Sequence, residues 1–227
     1  MKRLVCILVP LLFAAVLARQ DSSVWFTGLS GAGKKANQAD AVRLKRAPRA
    51  VDNATPSGNT NKYVLEDSCL GGLRAQLNLE MHASLLYQQM AAHFDSNQVA
   101  HKGFAKFFEK SSDEEREHAK KITNYINARG GTIGHLNIRM PSSNSWDTAK
   151  EALQAALVLE HHVNNELHLL HRTADEDCRD PQLQDFLESN FLSEQVESIA
   201  QIERLITNLN KFGDVHLGEY FVNKDHL

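Results

Sequence analysis

Beyond its first eighteen residues the chain has no apolar run long enough to cross a bilayer. Its longest such run, Leu4 to Ala18, is about fifteen residues, which is short for a span. Cysteine is nearly absent. There are 3 in 227 residues, too few for a disulfide-dense scaffold, and Cys6 sits in that first apolar run. Proline is also scarce, with 5 in all and none between residues 57 and 140, so little interrupts long helices there. What is present is enough for a core: 42% of the residues are hydrophobic.

Charge divides the chain. Residues 19–61 hold 7 basic and 3 acidic groups, net +4, whereas residues 62–227 hold 16 and 25, net −9. With Lys2 and Arg3 the total is the stated −3. An acidic body argues against a nucleic-acid partner and suits a protein that attracts cations.

The N-terminal third reads as leader plus linker. A basic start, the apolar run and Val16-Leu17-Ala18 form a secretory signal over residues 1–18, so the expected product is secreted and meets no membrane once the signal is removed. Residues 19–61 are rich in Gly, Ala, Ser, Asn and basic groups without apolar periodicity, and read as a flexible basic tail. Asn53-Ala54-Thr55 is a glycosylation sequon, and Arg43-Leu44-Lys45-Arg46 has the pattern of a dibasic processing site, though a plain basic linker has the same composition. Gly28-Leu29-Ser30-Gly31-Ala32-Gly33-Lys34 matches a phosphate loop, and VWFTGLSGAGK resembles that loop in adenylylsulfate kinases. The Ser or Thr that should follow for magnesium is replaced by Lys35, and no strand–loop–helix unit surrounds it, so nucleotide binding is not expected.

Residues 62–227 read as one helical domain. Helices are expected near 66–93, 98–128, 147–176 and 181–211, with a short fifth near 216–225. Gly130-Gly131 stops the second and Pro181 opens the fourth. A seventeen-residue connection, 130–146, separates the second from the third, long enough to cross a bundle. That gives an all-α four-helix bundle in up-down-down-up order, with the second and third helices parallel.

Chemistry concentrates in Glu115-Arg116-Glu117-His118. Positions i and i+3 share a helix face, so Glu115 and His118 can grip one ion. Glu80 lies thirty-five residues before Glu115, and Gln195 thirty-five after Glu160, so each helix offers one ligand-type residue at one depth. Tyr87 is two turns from Glu80 on the same face. Four helices sending carboxylates and a His into a shared core is the pattern of a di-iron carboxylate site, of which ferritin-like bundles are a well-known instance. Oxygen ligands with one imidazole suit iron better than thiolates would. The bland alternative is a set of solvated carboxylates and a core tyrosine. His82, His93, His161, His162, His168 and His171 read as surface or interface residues.

FAKFFEKSSDEEREHAKK (104–121), DPQLQDFLESNFLSEQV (180–196), the segments around Glu80 and Glu160, and the closing GEYFVNKDHL (218–227) resemble animal ferritin of the heavy, ferroxidase-bearing type. The likeness runs from about Tyr63 to the end. It implies a first iron held by Glu80, Glu115 and His118, and a second by Glu115, Glu160 and, more weakly, Gln195, with Tyr87 steadying a ligand. It further implies oxidation of Fe(II) by O2, storage as ferric oxyhydroxide, and assembly into a 24-subunit shell, alone or with a second subunit type. By the same resemblance Asp185 and Glu188 line three-fold channels that admit iron, and Glu114 and Glu117 seed mineral, with Lys120 weakening that cluster. The second hairpin lacks a matching His, which suits iron as substrate rather than as resident cofactor. Rival classes are a light-type structural subunit, a di-iron oxygenase acting on an organic substrate, and a nucleotide kinase.

Cys69 begins the first helix and Cys178 follows the third. In this topology both lie at one end of the bundle. An intrachain bridge, a bridge to another subunit and two free thiols all remain open at this point.

Overall fold

A computed structural model describes residues 61–225 and 227. The signal, the basic tail, the phosphate-loop sequence, Arg43–Arg46 and Asn53 lie outside the described residues. Helices make up the fold: α1 (Asp67–Asp95), α2 (Lys102–Ala128), α3 (Ala149–Glu176), α4 (Pro181–Leu187), α5 (Ser193–Leu209) and α6 (Val215–Asp225). No strand occurs among the described residues, and none of the described helices is long and apolar enough to cross a membrane.

Contacts at the two ends fix the direction of every helix. Cys69, at the start of α1, is bonded to Cys178, just past the end of α3, with Cα atoms 6.5 Å apart. The first and third helices are therefore antiparallel. Arg129, which closes α2, reaches Asp180 beyond α3 at 2.5 Å, so α2 and α3 run parallel. This is the expected up-down-down-up order, and the segment between α2 and α3 crosses the bundle to connect them. Its path is pinned to α1: Arg74 donates to the carbonyl of Thr132, Asn78 Oδ1 accepts from Asn137 N, and His82 Nδ1 lies 2.6 Å from the carbonyl of Arg139. His82 is buried, a correction to its reading as a surface residue.

Local sequence chemistry starts and stops these elements. Gly130 takes φ +73° directly after α2, a conformation that favours glycine. Thr148 caps α3 by accepting from Glu151 N, and Asp180 caps α4 by accepting from Leu183 N. The last helix acts as a lid over two N-termini. Asn223 Oδ1 accepts from Gly103 N at 2.7 Å and Phe104 N at 3.2 Å, while Glu219 Oε1 accepts from Ala149 N at 2.6 Å. Donors that no intrahelical carbonyl can reach thereby find partners on α6.

The core is built from Leu73, Leu77, Met90 and Phe94 of α1, Phe104, Phe108, Ile122 and Ile126 of α2, Leu153, Val163 and Leu167 of α3, and Leu183, Leu187, Phe191 and Ile202 of the fourth arm. At the disulfide end, the buried Arg129 donates to Asp180, Gln182 and the carbonyls of Lys62 and Tyr63. Tyr125 stacks on Phe186 beside it, with ring centroids 3.9 Å apart.

The fourth arm departs from expectation. Residues 181–211 read as one uninterrupted helix; instead Glu188–Leu192 forms a π-helical turn between α4 and α5. One extra residue in a turn rotates every later side chain by about 100° about the axis. That rotation sets which residues of α5 face the bundle interior.

Candidate metal centre

Glu80, Glu115 and His118 bring one ligand atom each within 4.8 Å of one another, and all three are buried. The first comes from the middle of α1 and the others from adjacent turns of α2. His118 Nδ1 lies 3.2 Å from Glu115 Oε2, so the i and i+3 spacing does place them on one face. Gln76, one turn before Glu80, donates to Glu80 Oε1 at 2.7 Å. Glu80 Oε2 is left buried with no partner. An unpaired buried carboxylate oxygen is costly unless a cation faces it.

Glu160 arrives from α3 on the other side of this group. Tyr87 donates its hydroxyl to Glu160 Oε1, and Gln195 donates its amide to Glu160 Oε2 and, at 3.1 Å, to the Glu160 carbonyl. Gln195 therefore grips Glu160 here rather than offering its own oxygen. Tyr87 and Gln195 come from α1 and α5, so all four arms of the bundle converge on the site.

Three buried carboxylates close together cannot all stay charged without compensation. Burial first, then the charge of Glu115, holds the Glu80 carboxyl well above its usual range. Burial, followed by the charge of Glu160, pushes Glu115 up to about 8. Glu160 is also raised by burial, with the hydrogen bonds from Tyr87 and Gln195 opposing. The Tyr87 hydroxyl is raised well above its usual value, by burial and then by Glu160. A dry cluster of oxygens and one imidazole that resists ionisation fits a divalent or trivalent cation of the iron class.

A surface depression of about 530 Å³ opens beside His118, lined by Lys106, Lys110, Glu114, Glu117, Lys121 and Glu194 among others. Its acids are largely matched by lysines: Glu114 with Lys110 at 2.8 Å and Glu117 with Lys120 at 3.1 Å. Asp185 and Glu188 lie elsewhere, exposed. Asp185 accepts weakly from Ser189 at 3.4 Å, and Glu188 Oε1 is 2.6 Å from His171 Nε2. Asp185 is in α4 and Glu188 opens the π turn, so they straddle an element boundary rather than share a regular helix. His93 is half-buried against Trp146, with ring centroids 5.5 Å apart.

Sequence reasoning missed two residues of the site. Gln76 orients Glu80, and a residue four positions before a carboxylate is a detectable helical signal. Glu194 stands 3.1 Å from His118 Nε2, although that nitrogen makes no well-directed hydrogen bond. No local spacing points to that pairing, because it forms across the bundle.

Comparison with known proteins agrees with this geometry. Residues 70–212 match the ferritin family, described as a ferritin-like domain. The chain is 48% identical over 158 residues to "Soma ferritin" of Lymnaea stagnalis, covering 69% of this chain and 88% of that protein. It is 42% identical over 161 residues to "Ferritin heavy chain" of Echinococcus granulosus, covering 71% and 92%. A plant relative, "Ferritin-2, chloroplastic" of Zea mays, is 36% identical over 209 residues, or 88% of this chain and 82% of that one.

Proposed function

This chain belongs to the ferritin family, and on that footing we propose that it is a heavy-type subunit that oxidises Fe(II) with O2 and stores the product as ferric oxyhydroxide. The observation that carries the reading is the buried trio Glu80, Glu115 and His118, with one oxygen of Glu80 unpartnered. A subunit that only scaffolds mineral has no use for buried acids that depress its own stability.

Iron here is substrate. Glu80, Glu115 and His118 bind one Fe(II), and Glu115 and Glu160 bind a second. Each ion gives one electron, so the pair reduces one O2 to peroxide, and the bound carboxylates favour the more highly charged Fe(III). Tyr87 and Gln195 hold Glu160 in place while charge builds. The second position has no imidazole, so it binds more weakly and lets product leave. The depression beside His118 offers the way out, past Glu114 and Glu117.

Assembly into a closed shell, in the reading a 24-mer alone or with a second subunit type, is supported by the apolar side chains this protomer exposes. Val158, Leu169 and Val196 lie on the bundle, and Val215, Leu217, Tyr220 and Phe221 on α6. Channels lined by Asp185 and Glu188 would draw cations inward. Secretion, removal of residues 1–18 and glycosylation at Asn53 complete the proposal. The Cys69–Cys178 bond supports an oxidising compartment.

Oxygen uptake on addition of Fe(II) to the purified mature protein tests the activity. Rapid uptake well above that of buffer is expected. Uptake at the rate of buffer would leave only the light-type, structural reading.

A further inference from the structure

Of the acids that line the depression beside the buried trio, Glu194 is the one that aims at a proposed ligand. Its Oε2 stands 3.1 Å from His118 Nε2, on the far side of the ring from Glu115, which lies 3.2 Å from Nδ1. Lys121 Nζ lies 3.8 Å from the same Glu194 oxygen and 5.9 Å over the Phe191 ring. Phe191 in turn packs against the His118 ring, with centroids 5.3 Å apart. The imidazole thus packs at a tilt against Phe191 and has the Glu194 carboxylate 3.1 Å from its outer nitrogen, a close approach that a small turn of the ring aligns into a hydrogen bond, while Lys121 lies near both.

We propose that Glu194 is a positioning residue for the metal-binding imidazole, accepting the Nε2 proton of His118 so that the Nδ1 lone pair is free and aimed at the ion. A ligating imidazole needs its other nitrogen engaged, because that fixes the tautomer and ring orientation and makes the ligand more basic. The π turn makes this possible. Glu188–Leu192 ends one residue before α5, so its extra residue sets the phase at which the adjacent side chains Glu194 and Gln195 enter the site. They then serve two different ligands, Glu194 steering His118 and Gln195 gripping Glu160. Proposed ligands on two of the three helices that carry them, α2 and α3, are thereby tuned from one turn of α5.

The inference deepens the ferroxidase reading and rests on His118 being a ligand. It is tested by Co(II) titration of the iron-free, assembled full chain, read by visible absorption, for the parent, Glu194→Gln, Glu194→Ala and His118→Ala. Assembly is checked by size exclusion. Gln keeps an oxygen that accepts from Nε2–H, so Glu194→Gln is expected to bind within about threefold of the parent. Glu194→Ala is expected to lose about 10–100-fold in affinity with the same number of ions per subunit. If Gln binds as poorly as Ala, or if Ala binds like the parent, the positioning role is wrong. If His118→Ala binds as tightly as the parent, the ligand assignment beneath the proposal fails instead.

Discussion

Tyr87 on α1 and Glu160 on α3 are joined by a hydrogen bond through the buried centre of the bundle, from phenol to carboxylate. It links antiparallel helices well along the bundle from the Cys69–Cys178 bond, and it uses one of the two oxygens that a second ion would need. The phenol therefore serves both packing and chemistry.

Removing that hydroxyl separates the two roles. In Tyr87→Phe the ring still packs against Phe108, whose centroid is 6.1 Å away, but Glu160 Oε1 loses its donor. Stability of the metal-free protein is expected to fall by about 1–2 kcal/mol, and initial Fe(II) oxidation by about 10-fold as Glu160 wanders. Denaturant unfolding and stopped-flow oxidation measure the two effects. An unchanged rate would remove Tyr87 from the site.

A pH dependence follows from Glu115, whose folded pKa of about 8 exceeds its ordinary 4.5. The folded protein keeps a proton that the unfolded chain releases between those values. This contribution to stability is therefore full below about pH 4.5 and is lost as pH rises towards 8. Glu80 and Glu160 shift in the same direction and add to the trend. Metal-free protein is expected to melt at lower temperature at pH 8 than at pH 5, and Zn(II) is expected to erase most of the difference. Glu115→Gln should flatten the profile and raise the melting temperature at pH 8 while abolishing rapid oxidation. A metal-free melting temperature that is flat or rising over this range would refute the buried-acid account.

The fold was largely legible, because its signals are local. Gly130 and Pro181 mark helix ends by backbone chemistry that does not depend on partners. The long link between the second and third helices set their parallel order. The buried cluster was legible for the same reason: Glu115 and His118 are one turn apart, and thirty-five-residue offsets repeat that depth across each hairpin. The π turn was not, since Glu-Ser-Asn-Phe-Leu carries no glycine or proline to announce it. Glu194, the burial of His82 and the Cys69–Cys178 pairing all depend on what stands across the bundle, which spacing along the chain does not report.

The disulfide ties the first turn of α1 to the end of α3 over a separation of 109 residues. In the chain-entropy picture such a loop contributes up to ~4–5 kcal/mol. The Cys69→Ala, Cys178→Ala double variant is expected to unfold at lower denaturant with its oxidation rate intact, since the site lies well along the helices from that end. Peptide mapping without reductant should find the two cysteines joined within a monomer-sized band. A disulfide-linked dimer would instead assign the bond to neighbouring subunits.

Whether this protein oxidises iron at the buried trio is tested most directly by the Glu115→Ala, His118→Gly double variant, compared with the parent by initial rate of Fe(II) oxidation in air. Folded, assembled double variant is expected to oxidise Fe(II) no faster than buffer, while the parent does so rapidly. A double variant that matches the parent's initial rate would contradict the assignment of the site.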